Sequence, residues 1–101
     1  MIAVSAPKFQ LGRVVATPGA ISVLEDAGQS PWSLVARHAA CDWGDLPEDD
    51  RQLNEDALQD GSRLMSSYTL NDGKTTLWVV TEAADDTNER SVTTILAPDE
   101  Y

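Results

Sequence analysis

SRLMSSYTLNDGKTTLWVVTE, residues 62–82, followed after a polar loop by RSVTTILA, residues 90–97, is the stretch on which the fold turns. It holds three runs, 62–70, 74–82 and 90–97, each rich in β-branched or aromatic residues and bounded by Gly, Asn, Asp or Pro. Alternation of that kind marks half-buried strands, and short connections make consecutive strands pair antiparallel. Asn71-Asp72-Gly73 suits a type I turn closed by a glycine in the left-handed region, a three-residue hairpin loop with a bulge. Such a loop sets Leu70 opposite Lys74, Tyr68 opposite Thr76, Ser66 opposite Trp78 and Leu64 opposite Val80. One face then carries Leu64, Tyr68, Trp78 and Val80, and the other Arg63, Met65, Ser67, Leu77 and Val79. A two-residue Asp-Gly turn would shift this register.

Upstream of the meander the pattern changes to helices. Thr17 caps a helix opened by Pro18, with Ala20, Val23, Leu24 and Ala27 on one stripe and Gly28 at its end. The same grammar repeats with Ser30 and Pro31, then Trp32, Leu34, Val35, Ala36 and Ala39. A third helix begins near Pro47, behind Asp45, and runs to about Asp60, where Gly61 stops it. Leu53, Ala57 and Leu58 read as its apolar stripe, with Gln52, Asn54, Glu55, Asp56 and Asp60 facing solvent. Residues 10–16 read as a first strand, and residues 1–8 as a terminus that frays, although Ile2 and Val4 can extend a strand. Residues 83–89 are too polar to pack and are expected to project from the sheet. The expected architecture is α+β, with one N-terminal strand, three short helices and a three-stranded antiparallel meander packed on them. The place of the first strand in the sheet does not follow from the sequence.

A chain of 101 residues forms one domain around one modest core. No run approaches the roughly 20 apolar residues of a membrane span, and the N-terminus lacks the charged head and apolar run of a signal peptide, so a cytoplasmic location is expected. The single cysteine, Cys41, has no internal partner. A formal charge of −10, from 17 acidic and 7 basic side chains, argues against direct nucleic-acid binding and for a partner with a basic surface. Seven of the carboxylates fall between Asp45 and Asp60, with Arg51 as the one cation among them. Asp45, Glu48, Asp49, Glu55, Asp56 and Asp60 are therefore the candidate binding residues, since a row of carboxylates can occupy the groove a basic enzyme keeps for phosphates.

A second candidate is chemical. The segment 37–45 holds the only histidine, the only cysteine and a tryptophan, and His38, Cys41 and Asp45 would share one face if the helix continued. Four zinc ligands are lacking, so no metal is expected. His38 with Arg63, Tyr68 and Arg90, beside Ser66, Ser91 and Thr93, forms the set a metal-independent ribonuclease uses, a proton carrier with guanidinium groups for a pentavalent phosphate. Its requirement is convergence at hydrogen-bond range. There is no phosphate-binding glycine loop, nucleophile elbow or paired-histidine signature, and no cofactor is expected.

The runs QLGRVVATPGA, AGQSPWSLVARH, DWGDL, GSRLMSSY, LWVVTE and RSVTTILAPDEY together resemble a family of small bacterial proteins of plasmids and integrative elements, called plasmid-related proteins. Some members carry the label of a type I restriction methylation subunit. The likeness spans residues 10–101 and departs from the family in a longer 83–89 loop. It implies an accessory protein of a mobile genetic element and brings no catalytic residues with it.

Overall fold

The computed structural model describes residues 7–101. In chain order the elements are β1 (Arg13–Ala16), α1 (Pro18–Asp26), α2 (Pro31–Ala39), α3 (Glu48–Asp60), β2 (Leu64–Thr69), β3 (Thr76–Thr81), β4 (Val92–Leu96) and a closing 3-10 turn, Pro98–Glu100. The fold is α+β, with the strands in one mixed sheet ordered β1-β4-β3-β2. The meander is present, but it is three strands of four: β1 joins its far edge and runs parallel to β4, pairing Val14 with Thr93 and Ala16 with Ile95. Parallel neighbours need a crossover, and here the whole of α1, α2, α3, β2 and β3 supplies it. The expected frayed terminus and the strand extended by Ile2 and Val4 fall largely on residues 1–6, outside the described residues. Lys8, at the end of that expected frayed segment, is instead tied down: it donates its backbone N–H to the Ala39 carbonyl at 2.9 Å.

The hairpin register differs by one residue from the three-residue loop. Leu64 pairs with Thr81, Ser66 with Val79, Tyr68 with Leu77 and Thr69 with Thr76. Leu70 donates to the Thr75 carbonyl at 2.8 Å, so the loop spans four residues. Asp72 explains the extra one. Its carboxylate accepts the N–H groups of Lys74 and Thr75 at 2.9 and 2.8 Å and binds the Thr75 hydroxyl, holding the chain open past Gly73. Those hydrogen bonds hold the Asp72 carboxyl down to about 2. The slip exchanges the partners of Leu64 and Tyr68, which share their face with Leu77 and Val79, while Trp78 and Val80 lie with Met65 and Ser67 on the other.

Helices α1 and α2 cover the first of these faces. Ala20, Leu24, Leu34 and Val35 pack against Tyr68, Leu77, Val79 and Ile95. The prolines and caps act as the sequence suggests: Thr17 Oγ1 accepts from the Ala20 N–H at 3.1 Å and Ser30 Oγ from the Trp32 N–H at 3.2 Å. The far end of the chain returns to α1, because Thr17 donates to Glu100 at 2.7 Å. On the second face Tyr101 meets Trp78 edge-on, with 5.6 Å between centroids, and Arg63 lies 5.0 Å above the Tyr101 ring.

Helix α3 lies along β2, and there its expected stripe is rotated. Asn54, read as solvent-facing, is 4% exposed, and Leu53, read as core, is 64% exposed. The cause is the edge of the sheet. Asn54 Nδ2 donates to the Met65 carbonyl at 2.7 Å and its Oδ1 accepts the Met65 N–H at 3.1 Å, so one carboxamide replaces a neighbouring strand. Ser67 completes the edge by donating to Trp43 O at 3.2 Å and accepting from Asp45 N at 2.7 Å. Unpaired edge amides cost more than an exposed leucine, so the polar residue turns inward.

Candidate functional site

The residues that carry chemistry separate into a buried string and two surfaces. The string centres on His38, fully buried at the end of α2. Its Nδ1 lies 2.5 Å from Ser66 Oγ and its Nε2 2.9 Å from Thr81 Oγ1; Thr81 is in turn 2.7 Å from Thr93 Oγ1. Thr93 donates to the Leu11 carbonyl at 2.7 Å, and that fixes every proton before it. Thr81 must donate to Thr93, His38 Nε2–H to Thr81, and Ser66 to Nδ1. The imidazole is thus the neutral Nε2–H tautomer. Burial, with a smaller contribution from the Arg90 charge, pushes its pKa down to about 3. Phe9 meets the ring edge-on at 5.2 Å and Trp43 at 5.8 Å, which completes its enclosure.

The four residues of the ribonuclease-like set do not gather around one open site. Tyr68 is buried, donates its hydroxyl to the Asp42 carbonyl at 2.6 Å and lies 4.5 Å beneath the Arg37 guanidinium; burial raises its pKa. Arg63 stacks on Tyr101, on the opposite face of the sheet from His38. Arg90 donates to Ser62 O, Glu82 O and Ala57 O at 2.7, 3.1 and 3.1 Å, closing the C-terminal end of α3. Of the neighbouring hydroxyls, Ser66 and Thr93 belong to the buried string. A proton carrier whose two nitrogens are both engaged in the interior has no free atom for an external substrate.

The His38, Cys41 and Asp45 face also dissolves, because the helix ends at Ala39 and Cys41 takes a left-handed φ of 64°. Among the described residues, no three His, Cys, Asp or Glu side chains are placed to hold a metal ion. The Cys41 thiol is raised by burial and then by the Glu55 carboxylate, which keeps it protonated.

The first surface is α3. Asp45, Glu48, Asp49, Glu55, Asp56 and Asp60 are all exposed. Four have partners within the chain: Asp45 accepts from the Thr69 hydroxyl, Glu55 from the Trp43 indole, Asp56 from the Gln52 amide and Asp60 from the Ser62 N–H. None of these partners is charged. Arg51 makes no ion pair with any of these acids; it is folded onto the α3 entry, donating to Gly44 O at 2.6 Å and Leu46 O at 2.9 Å. The one ion pair among the described residues is Arg37–Asp42, at 2.7 Å. Leu53 stands at the margin of this anionic face, on the side toward β2, beside a cleft of about 140 Å3 bordered by Leu46, Asp50, Arg63 and Met65. Hydrophobic periodicity concealed Leu53, whose exposure follows from the edge-capping role of Asn54.

The 83–89 loop stays at the surface, with every residue but Ala84 exposed, and it is anchored at its start. Ala84 donates to the Gly61 carbonyl at 2.8 Å, and Asp85 accepts the N–H groups of Thr87 and Glu89. The loop thereby walls a second surface, a cleft at the end of α3 that includes Arg90. No described helix is long and apolar enough to cross a membrane. Fold and surface define a small α+β protein with an anionic helix at one sheet edge. Comparison with protein-family models, curated proteins and solved structures found no match.

Proposed function

We propose that this protein is a small acidic accessory factor of a mobile genetic element that acts by binding another protein, with the exposed face of α3 meeting a basic surface such as that of a nucleic-acid-binding or defence enzyme. The observation that carries the reading is Leu53, 64% exposed at the margin of a row of carboxylates none of which is held in an ion pair among the described residues. An apolar anchor inside a charged rim is how protein interfaces concentrate affinity, while the rim governs encounter rate and choice of partner. The acids that fasten turns, Asp72 and Asp85, are less available for that role than Glu48 and Asp49, which project from the first turn of α3. The resemblance to plasmid-related proteins supplies the mobile-element context.

The experiment is capture of partners from the native host with wild-type protein, with Leu53→Asp and with the pair Glu48→Lys and Asp49→Lys, at low and high salt. A partner held by this face is retained at low salt, released at high salt and lost with either variant. A partner retained equally by all three proteins would place the interface elsewhere.

A further inference from the structure

The larger cleft lies where the end of α3, the 83–89 loop and the segment before β1 meet, and it encloses about 480 Å3. That volume is within the range of small-molecule sites, roughly 300–1,000 Å3. Its chemistry runs against the rest of the molecule. In a chain of net charge −10, its lining holds two cations, Lys8 and Arg90, and three carboxamides, Gln10, Gln59 and Asn88, with no carboxylate. Phe9 and Leu58 provide an apolar wall.

Arg90 is the decisive residue. It is only 7% exposed, and it makes no ion pair among the described residues. Its three hydrogen bonds use Nη1 twice and Nη2 once, leaving Nε–H and the second N–H of Nη2 without an acceptor. Among the described residues no fully buried side-chain nitrogen or oxygen lacks a partner, so the unpaired Nε keeps some exposure, and Arg90 is one of the residues that line the cleft. In arginine the Nε–H and the Nη2 N–H on its side are parallel donors suited to two oxygens of one oxyanion, and here the Ala57 carbonyl takes one of the two Nη2 protons. The backbone carbonyls hold the guanidinium in place, which reduces the ordering cost on binding. Gln10 is oriented as well, because its Oε1 accepts the backbone N–H of Arg90 at 2.7 Å and its amide N–H groups remain to donate. The acid whose charge acts on Arg90, Asp60, directs an oxygen to the Ser62 N–H at 2.8 Å.

We propose that this cleft binds the phosphate monoester group of a small molecule. Two cations match a dianion, whereas a single carboxylate would leave one of them unpaired. Surrounding N–H donors match the three terminal oxygens, and Phe9 and Leu58 meet the carbon skeleton. The site shares the end of α3 through Gln59 but uses neither Leu53 nor any carboxylate of the helix, so either reading can fail without the other.

The test is titration of the 15N-labelled full chain with phenyl phosphate, inorganic phosphate, benzoate and benzyl alcohol, following the Arg90 Nε–H signal and the amides of Gly61 and Asn88. Phenyl phosphate shifts these signals saturably, inorganic phosphate shifts the same signals at higher concentration, and benzyl alcohol leaves them in place. Benzoate binds at least about ten-fold more weakly than phenyl phosphate. Lys8→Glu and Gln59→Glu each weaken phenyl phosphate by about ten-fold or more. Both side chains lie outside the hydrogen-bond network of the core, and an unchanged amide spectrum elsewhere verifies the fold. Equal binding of benzoate and phenyl phosphate, unchanged affinity in both variants, or shifts that avoid Arg90 would overturn the assignment.

Discussion

Acidification should weaken this protein through one imidazole. His38 is neutral in the fold and takes a proton only near pH 3, because charging it would place an ion beside Phe9 and Trp43 without water. In the unfolded chain the same side chain protonates near 6.5. Between those values the unfolded state binds more protons than the native state, so stability rises with pH across the window and is lost as pH falls through it. Taking 1.36 kcal/mol per pH unit, the change between pH 7 and pH 4.5 is about 2.5 kcal/mol from this residue alone. That is a large share of the roughly 5–15 kcal/mol of a typical domain. The assay is urea unfolding at a series of pH values, beside His38→Gln, whose amide can donate to Thr81 and accept from Ser66 but does not titrate. Carboxylates contribute equally to both proteins, so the difference between the two curves isolates His38. Parallel pH dependences in the two proteins would refute the reasoning, as would an imidazole resonance that titrates near 6.5 in the folded state.

The edge of β2 gives a paired prediction: Asn54→Leu costs about 2–4 kcal/mol by leaving two Met65 backbone groups unpartnered, whereas Leu53→Ala stays within about 1 kcal/mol, both read from urea midpoints. Two left-handed glycines should separate in the same way. A Cβ at Gly44 would stand 2.0 Å from Ser67 O, so Gly44→Ala breaks the contact that seals β2. At Gly28 a Cβ meets nothing, so Gly28→Ala costs only the backbone strain of about 1–2 kcal/mol, measurable by thermal melting. The Arg37–Asp42 pair is about half exposed, so Asp42→Asn should lower stability by no more than about 1 kcal/mol. A larger loss in a salt-dependent melt would show the pair to be more than a surface contact.

Local chemistry made much of this architecture legible. Thr17-Pro18 and Ser30-Pro31 cap and open helices because they satisfy amides without reference to anything distant, and Gly61 ends α3 with a φ of 83° that other residues resist. Alternation located β2, β3 and β4 for the same reason. The misreadings all involve a competing long-range or side-chain bond. Asp72 lengthened the hairpin loop by one residue, and a period of two converts a single step into an exchange of faces. Leu53 and Asn54 exchanged roles because the Met65 amide and carbonyl, eleven residues away, needed partners. The ribonuclease-like set looked plausible as a collection of residue types, but reach is a property of three dimensions, and the sheet put Arg63 and His38 on opposite sides.

The charge, the single cysteine, the helix caps and the strand-forming runs are properties of the chain itself, readable because each depends on composition or on neighbours a few residues apart. The parallel pairing of β1 with β4, the enclosure of His38 and the clamping of Arg90 by three backbone carbonyls belong to the folded molecule. Each depends on segments far apart in sequence meeting, and only the closed sheet with its helices brings those segments together.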